Sequence, residues 1–111
     1  LGVKSEQIGN VLVIELPQRL DAVGVSAVEQ KFGEAVTAHK GTTLVDMSNT
    51  EFVASLALRM LLTNHKEVKR QGGELVLCGL QPPIADIFRK SRFDTLFTIY
   101  PDREAALAAR T

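Results

Sequence analysis

The sequence predicts an α/β fold: a mostly parallel sheet of four to five strands, with an N-terminal hairpin at its edge and about four helices. Three observations predict it. Short apolar segments alternate with stretches of helical periodicity. The first two extended segments flank Gly9-Asn10, a pair suited to a tight hairpin turn. The 111 residues hold no linker, repeat or low-complexity stretch, and that length suits one domain spanning residues 1–111.

The elements follow in order. Val3 to Ile8 and Val11 to Leu16 form the hairpin, which Pro17 ends. Asp21 is placed to cap a helix whose Val25, Val28, Phe32, Ala35 and Val36 recur at helical spacing and which ends near His39 and Gly41. Thr43 to Met47 is a short apolar strand with Asp46 near its carboxyl end. In the next helix Leu58, Leu61, Leu62 and Val68 share one face, while Lys66, Glu67, Lys69 and Arg70 lie largely on another. Gly72-Gly73 stops it, because glycine tolerates the left-handed conformation of a helix end. Leu75 to Cys78 is a buried strand, and Pro82-Pro83 opens a short helix carrying Ile84, Ile87 and Phe88. Leu96 to Tyr100 is the last strand, and Asp102 caps an alanine-rich helix. The order β-β-α-β-α-β-α-β-α requires crossovers and hence parallel pairing. In such sheets binding sites lie beyond the carboxyl ends of the strands, which directs attention to Ser48–Ala54 and the start of the following helix.

Composition narrows the function. With 45% hydrophobic residues, the chain has the material for a core without metal or disulfide help. Thirteen basic and thirteen acidic residues cancel, so the one-sided basic field of a nucleic-acid binder is missing. A lone cysteine, Cys78, fits a reducing compartment. No apolar run approaches the ~18 residues of a membrane span, and no signal-peptide pattern opens the chain. A cytoplasmic protein, bound to neither membrane nor nucleic acid, is expected. His39 and His65 fall on different helices without partners at ligand spacing, so no metal and no other cofactor is expected. Cys78 closes a buried strand, where a thiol is a small hydrophobe, and no nucleophile–base motif points to an enzyme.

Ser55 stands at the start of the strongest helix. Unpaired N–H groups and the helix dipole favour an anion there, and a phosphate would bring roughly −1.5 to −2 charges. Arg59 lies four residues on, along the same face. The simpler reading makes Ser55 an ordinary N-cap and Arg59 a solvated charge.

The segment VDMSNTEFVASLALRMLLTNHKEVKRQGGELVLCGLQPPIADIFRKSRFDTLF resembles the core of STAS domains of the anti-anti-sigma type. Asp46 closes the strand, Ser48 sits in the loop and Phe52 is the aromatic residue before the serine motif. By the resemblance, Ser55 takes the place of the phosphorylated serine and Leu58 that of the leucine that follows it. Leu20-Asp21 sits where the family carries Gly-x-Leu/Ile-Asp before its first helix. The likeness spans nearly the whole chain. Three positions depart from the pattern: Ala54 replaces the aspartate before the serine, Leu56-Ala57 replaces a small pair after it, and Gln18 replaces the upstream glycine.

The resemblance implies an anti-sigma factor antagonist that works by partner exchange. The unmodified protein binds an anti-sigma factor, often a serine kinase, and frees a sigma factor. Phosphorylation of Ser55 breaks the complex, and a serine phosphatase restores it. The implied contact surface comprises Asp21, Ser48, Phe52, Ala54, Ser55, Leu56 and Arg59, with Leu56 either an outward apolar anchor or packed inward. The alternative is a scaffold subunit of a stress-signalling assembly, whose GIQPA-like segment the stretch GLQPPIA resembles. A nucleotide- or lipid-binding module is a third class, but no nucleotide motif supports it.

Overall fold

In the computed structural model, which describes residues 3–110, the alternating pattern becomes a five-stranded sheet ordered β1 (Lys4–Ile8), β2 (Val11–Glu15), β4 (Thr42–Asp46), β6 (Glu74–Cys78) and β7 (Thr98–Tyr100). Strands β1 and β2 pair antiparallel around Gly9, whose φ of 59° is the left-handed turn conformation glycine accepts. Strands β4, β6 and β7 run parallel to β2.

Alternation along the central strands sends side chains to two separate cores, since successive residues of a strand face opposite ways. On one side Ile14, Val45, Leu75 and Leu77 meet α1 (Ala22–Ala38), α2 (Ser55–Arg70) and α3 (Pro82–Lys90), which supply Phe32, Leu61 and Phe88. On the other side Val11, Val13, Leu44, Val76 and Cys78 are covered by Ala106 of α4 (Arg103–Arg110). Strands buried on both faces read as continuous apolar runs, which is why TLVDM and ELVLC look as they do.

Helix starts follow the expected chemistry at α1 and α4. Asp21 Oδ1 accepts the Gly24 N–H at 2.8 Å, and Asp102 Oδ1 accepts the Ala105 N–H at 2.8 Å. Gly72 ends α2 with φ 85°.

Four details differ from the sequence reading. Two-residue strands β3 (Arg19–Leu20) and β5 (Phe52–Val53) form a separate parallel pair. The last strand starts at Thr98 instead of Leu96; residues 93–95 make a 3₁₀ turn, Leu96 is exposed, and Phe97 is buried beside that turn. Ile87 faces solvent instead of sharing the buried face with Ile84 and Phe88. The buried stripe of α2 runs through Ala57, Met60, Leu61 and Val68, leaving Leu58 and Leu62 on its flank.

Candidate functional site

The β3–β5 pair builds the site by joining two segments distant in sequence. Arg19 pairs with Phe52 and Leu20 with Val53, while the Ala54 N–H donates to Leu20 O at 2.9 Å. This stitch carries Asp21 at the start of α1 and Ser55 at the start of α2. The Arg19 guanidinium lies 4.8 Å from the Phe52 ring centroid and also approaches Asp21 Oδ2 at 3.3 Å. Asp21 is thus a helix cap first. The Gly24 N–H, with Arg19 beside it, holds its carboxyl below the usual range.

Ala54, not Ser55, is the N-cap of α2. Ser55 is the first helical residue, exposed, and no side chain caps this end. The reading of Ser55 as a capping serine is therefore corrected by one residue. Neither does any acidic residue occupy the first turn of α2, so no side-chain carboxylate from that turn offsets the positive end of the helix. Replacing Ala54 by aspartate supplies the missing cap, and A54D is expected to gain about 0.5–2 kcal/mol in urea unfolding. An unchanged midpoint would show that the first turn does not use the new carboxylate.

The apolar residues here point outward. Leu56 is 45% exposed and Phe52 41%, which settles Leu56 as a surface residue. Val23, absent from the sequence-based site, is 79% exposed. It lines an apolar cleft of about 250 Å³ with Pro17, Gly24, Ala27 and Val28, at whose rim Arg19 and Asp21 stand. Val23 and Ala27, one turn apart, lie off the buried stripe of α1, and that offset is the signal that marks them in the sequence. Arg59, one turn beyond Ser55, is exposed.

The loop holding Ser48 is fixed on several sides. Asp46 Oδ1 accepts the Ser48 N–H at 2.9 Å, and Gln81 Nε2 donates to Ser48 O at 2.8 Å. Gly79, with φ 73°, backs against it so closely that a Cβ there would lie 3.0 Å from the Ser48 Cβ. Thr50 is fully buried and its hydroxyl donates to Pro17 O at 2.9 Å. Burial alone would raise the Asp46 carboxyl, but the Ser48 N–H and hydroxyl together with Arg103 outweigh it and hold the group below its ordinary value. Gln81, Gly79 and Arg103 escape the sequence reading because each acts across a large sequence separation.

Other reactive groups lie elsewhere. Burial pushes the Cys78 thiol up to about 12, with Asp46 adding to the effect, so at neutral pH it is no thiolate nucleophile. His65 packs against Phe97 with ring centroids 4.8 Å apart and the planes tilted by 44°, and burial, then Lys69, lowers its pKa. Among the described residues no three His, Cys, Asp or Glu side chains converge to hold a metal ion, and no helix is long and apolar enough to cross a membrane.

The STAS domain family model matches residues 3–106. The chain belongs to the STAS domain family. BtrV of Bordetella bronchiseptica is 28% identical to this STAS domain over 104 residues, covering 94% of the chain and 90% of that protein. The anti-sigma F factor antagonist of Paenibacillus polymyxa is 26% identical over 108 residues, covering 96% and 92%. Among solved structures, a STAS domain protein of Planctomyces limnophilus superposes with a TM-score of 0.92 at 24% identity, over 99% of this chain and 98% of that one. The phosphorylated form of the Bacillus cell fate determinant SpoIIAA superposes with a TM-score of 0.74 at 19% identity, over 96% and 97%. At these identities the structural likenesses speak for the fold alone.

Proposed function

We propose that this STAS domain is an anti-sigma factor antagonist that binds its partner through the surface around Ser55 and releases it when that serine is phosphorylated. The observation that carries the reading is the setting of Ser55. It is an exposed hydroxyl on the first residue of an uncapped helix, beside the outward-facing Phe52 and Leu56. A partner seated there would cover apolar surface and shut out water. A phosphate of roughly −1.5 to −2 charges placed at that contact would have to be desolvated, which favours release. The Paenibacillus relative carries the antagonist function in its name, and SpoIIAA is known in a phosphorylated form. Asp21, Ser48, Phe52, Ala54, Leu56 and Arg59 make up the contact surface in this reading. The partner is an anti-sigma factor with serine kinase activity, and a serine phosphatase resets the switch.

The test uses the purified chain, its Ser55→Ala and Ser55→Asp variants, and the anti-sigma kinases of the same organism with ATP. Phosphate should enter wild type and not Ser55→Ala. Ser55→Asp should bind at least about tenfold more weakly, some 1.4 kcal/mol. Labelling of Ser55→Ala, or full affinity of Ser55→Asp, would sink the switch. The scaffold reading draws on one observation, the bulky and exposed Leu56 in place of a small residue. A very large particle in size-exclusion chromatography of the isolated chain would favour it.

A further inference from the structure

One guanidinium gathers three carboxylates behind the site. Arg103, the first residue of α4, donates to Asp46 Oδ2 from Nε at 3.0 Å and from Nη2 at 2.9 Å. Its Nη2 also approaches Glu15 Oε2 at 3.4 Å, and its Nη1 approaches Glu6 Oε1 at 3.2 Å. The two better-buried acids each spend their other oxygen on the same loop. Asp46 Oδ1 accepts the Ser48 N–H at 2.9 Å, and Glu15 Oε1 accepts Asn49 Nδ2 at 3.1 Å. Two carboxylates therefore connect the C-terminal helix to consecutive residues of the recognition loop, in parallel.

We propose that Arg103 is a positioning residue for the Ser48–Asn49 loop, holding it from behind through Asp46 and Glu15, so that the docking of α4 sets the shape of the binding surface. The physical reason is orientation. Two guanidinium donors converge on Asp46 Oδ2 and a third contact reaches Glu15 Oε2, which restrains both carboxylates and favours the orientation that aims their second oxygens at the loop. With Arg103 removed, Asp46 and Glu15 face each other across the β2–β4 pair, where they are register partners, and like charges opposite one another repel. Both acids would turn toward solvent and let the loop go. What the loop meets in a complex rests on the partner-exchange reading; the link from Arg103 to the loop does not.

Amide hydrogen exchange on the isolated full chain tests it. In Arg103→Gln, exchange at the Ser48 N–H should rise roughly tenfold or more, as expected for losing a charge-assisted bond, while Leu61 and Val76 stay within about twofold of wild type. Arg103→Lys should recover little, because an ammonium cannot hold two carboxylates in a fork. An unchanged Ser48 N–H, or an equal rise at Leu61 and Val76, would overturn the proposal. Should Arg103→Gln fail to fold, the milder Arg103→Lys carries the test: exchange at the Ser48 N–H should again rise several-fold over wild type, and an unchanged rate would overturn the proposal. A loop that loosens without weakening partner binding would support the role of Arg103 and remove the loop from the interface.

Discussion

Phe88→Ala is expected to lower stability by about 3–5 kcal/mol, the range for emptying a fully buried phenylalanine site. Phe88 has no exposed surface, and it meets Phe93 edge-on at 6.2 Å and Phe97 at 6.2 Å. Phe97 in turn carries His65 of α2 at 4.8 Å. The side chain therefore ties α3 to the 3₁₀ turn and, through Phe97, to α2, and neighbours fixed in this way collapse poorly into the space it leaves. Against a typical total of about 5–15 kcal/mol, this loss is a large share. Thermal unfolding should fall by roughly 12–20 °C, at about 4 °C per kcal/mol for a chain of this size. A fall of less than about 4 °C would mean that the aromatic cluster repacks around the gap. The Ser55 surface lies on other elements, so partner binding by the folded fraction is expected to survive.

The fold was legible in the sequence wherever a local pattern decided it. Val25, Val28, Phe32 and Val36 mark α1 because four buried positions repeat at helical spacing, and Asp21 marks its start because a carboxylate suits the first free N–H groups. The Gly9 turn and the Gly72 stop are equally local. Legibility failed where tertiary contact decided. Arg19-Leu20 and Phe52-Val53 are too short to show a period and become strands only by pairing with each other. Leu96-Phe97 looks extended beside Thr98-Ile99-Tyr100, yet Arg92 takes a left-handed φ of 68° and turns the chain before the strand begins. The alternative that makes Ser55 the N-cap of α2 falls one residue late, because alanine at a cap position gives no capping signal. The candidate site shows the same division. Phe52, Ser55 and Leu56 lie within five residues and are joined as a surface only by the family resemblance, whereas Arg103 reaches Asp46 across 57 residues and no spacing rule connects them.

Gly24→Ala is expected to destabilise the protein by about 1–3 kcal/mol even though alanine is the better helix former. Two effects compete at this position. Within a helix, alanine gains up to about 1 kcal/mol over glycine. Against that, a Cβ on Gly24 would lie 2.1 Å from Arg19 O and 3.1 Å from Arg19 C, both backbone atoms of β3. No side chain can rotate away to relieve such a clash, so α1 must lift from β3 as a unit. The same displacement would lengthen the Asp21–Gly24 cap and shift Arg19 over Phe52, which loosens the stitch between the starts of α1 and α2. Gly33→Ala in the same helix separates the two effects. There a Cβ would meet only Asn64 Oδ1 at 3.6 Å, an ordinary contact, so propensity acts alone and a gain of about 0.5–1 kcal/mol is expected. Urea unfolding of the two variants should thus move in opposite directions. If Gly24→Ala matched Gly33→Ala, the close approach of α1 to β3 would not be what requires a glycine there, and the geometry that places Asp21 beside the Ser55 helix would need another explanation.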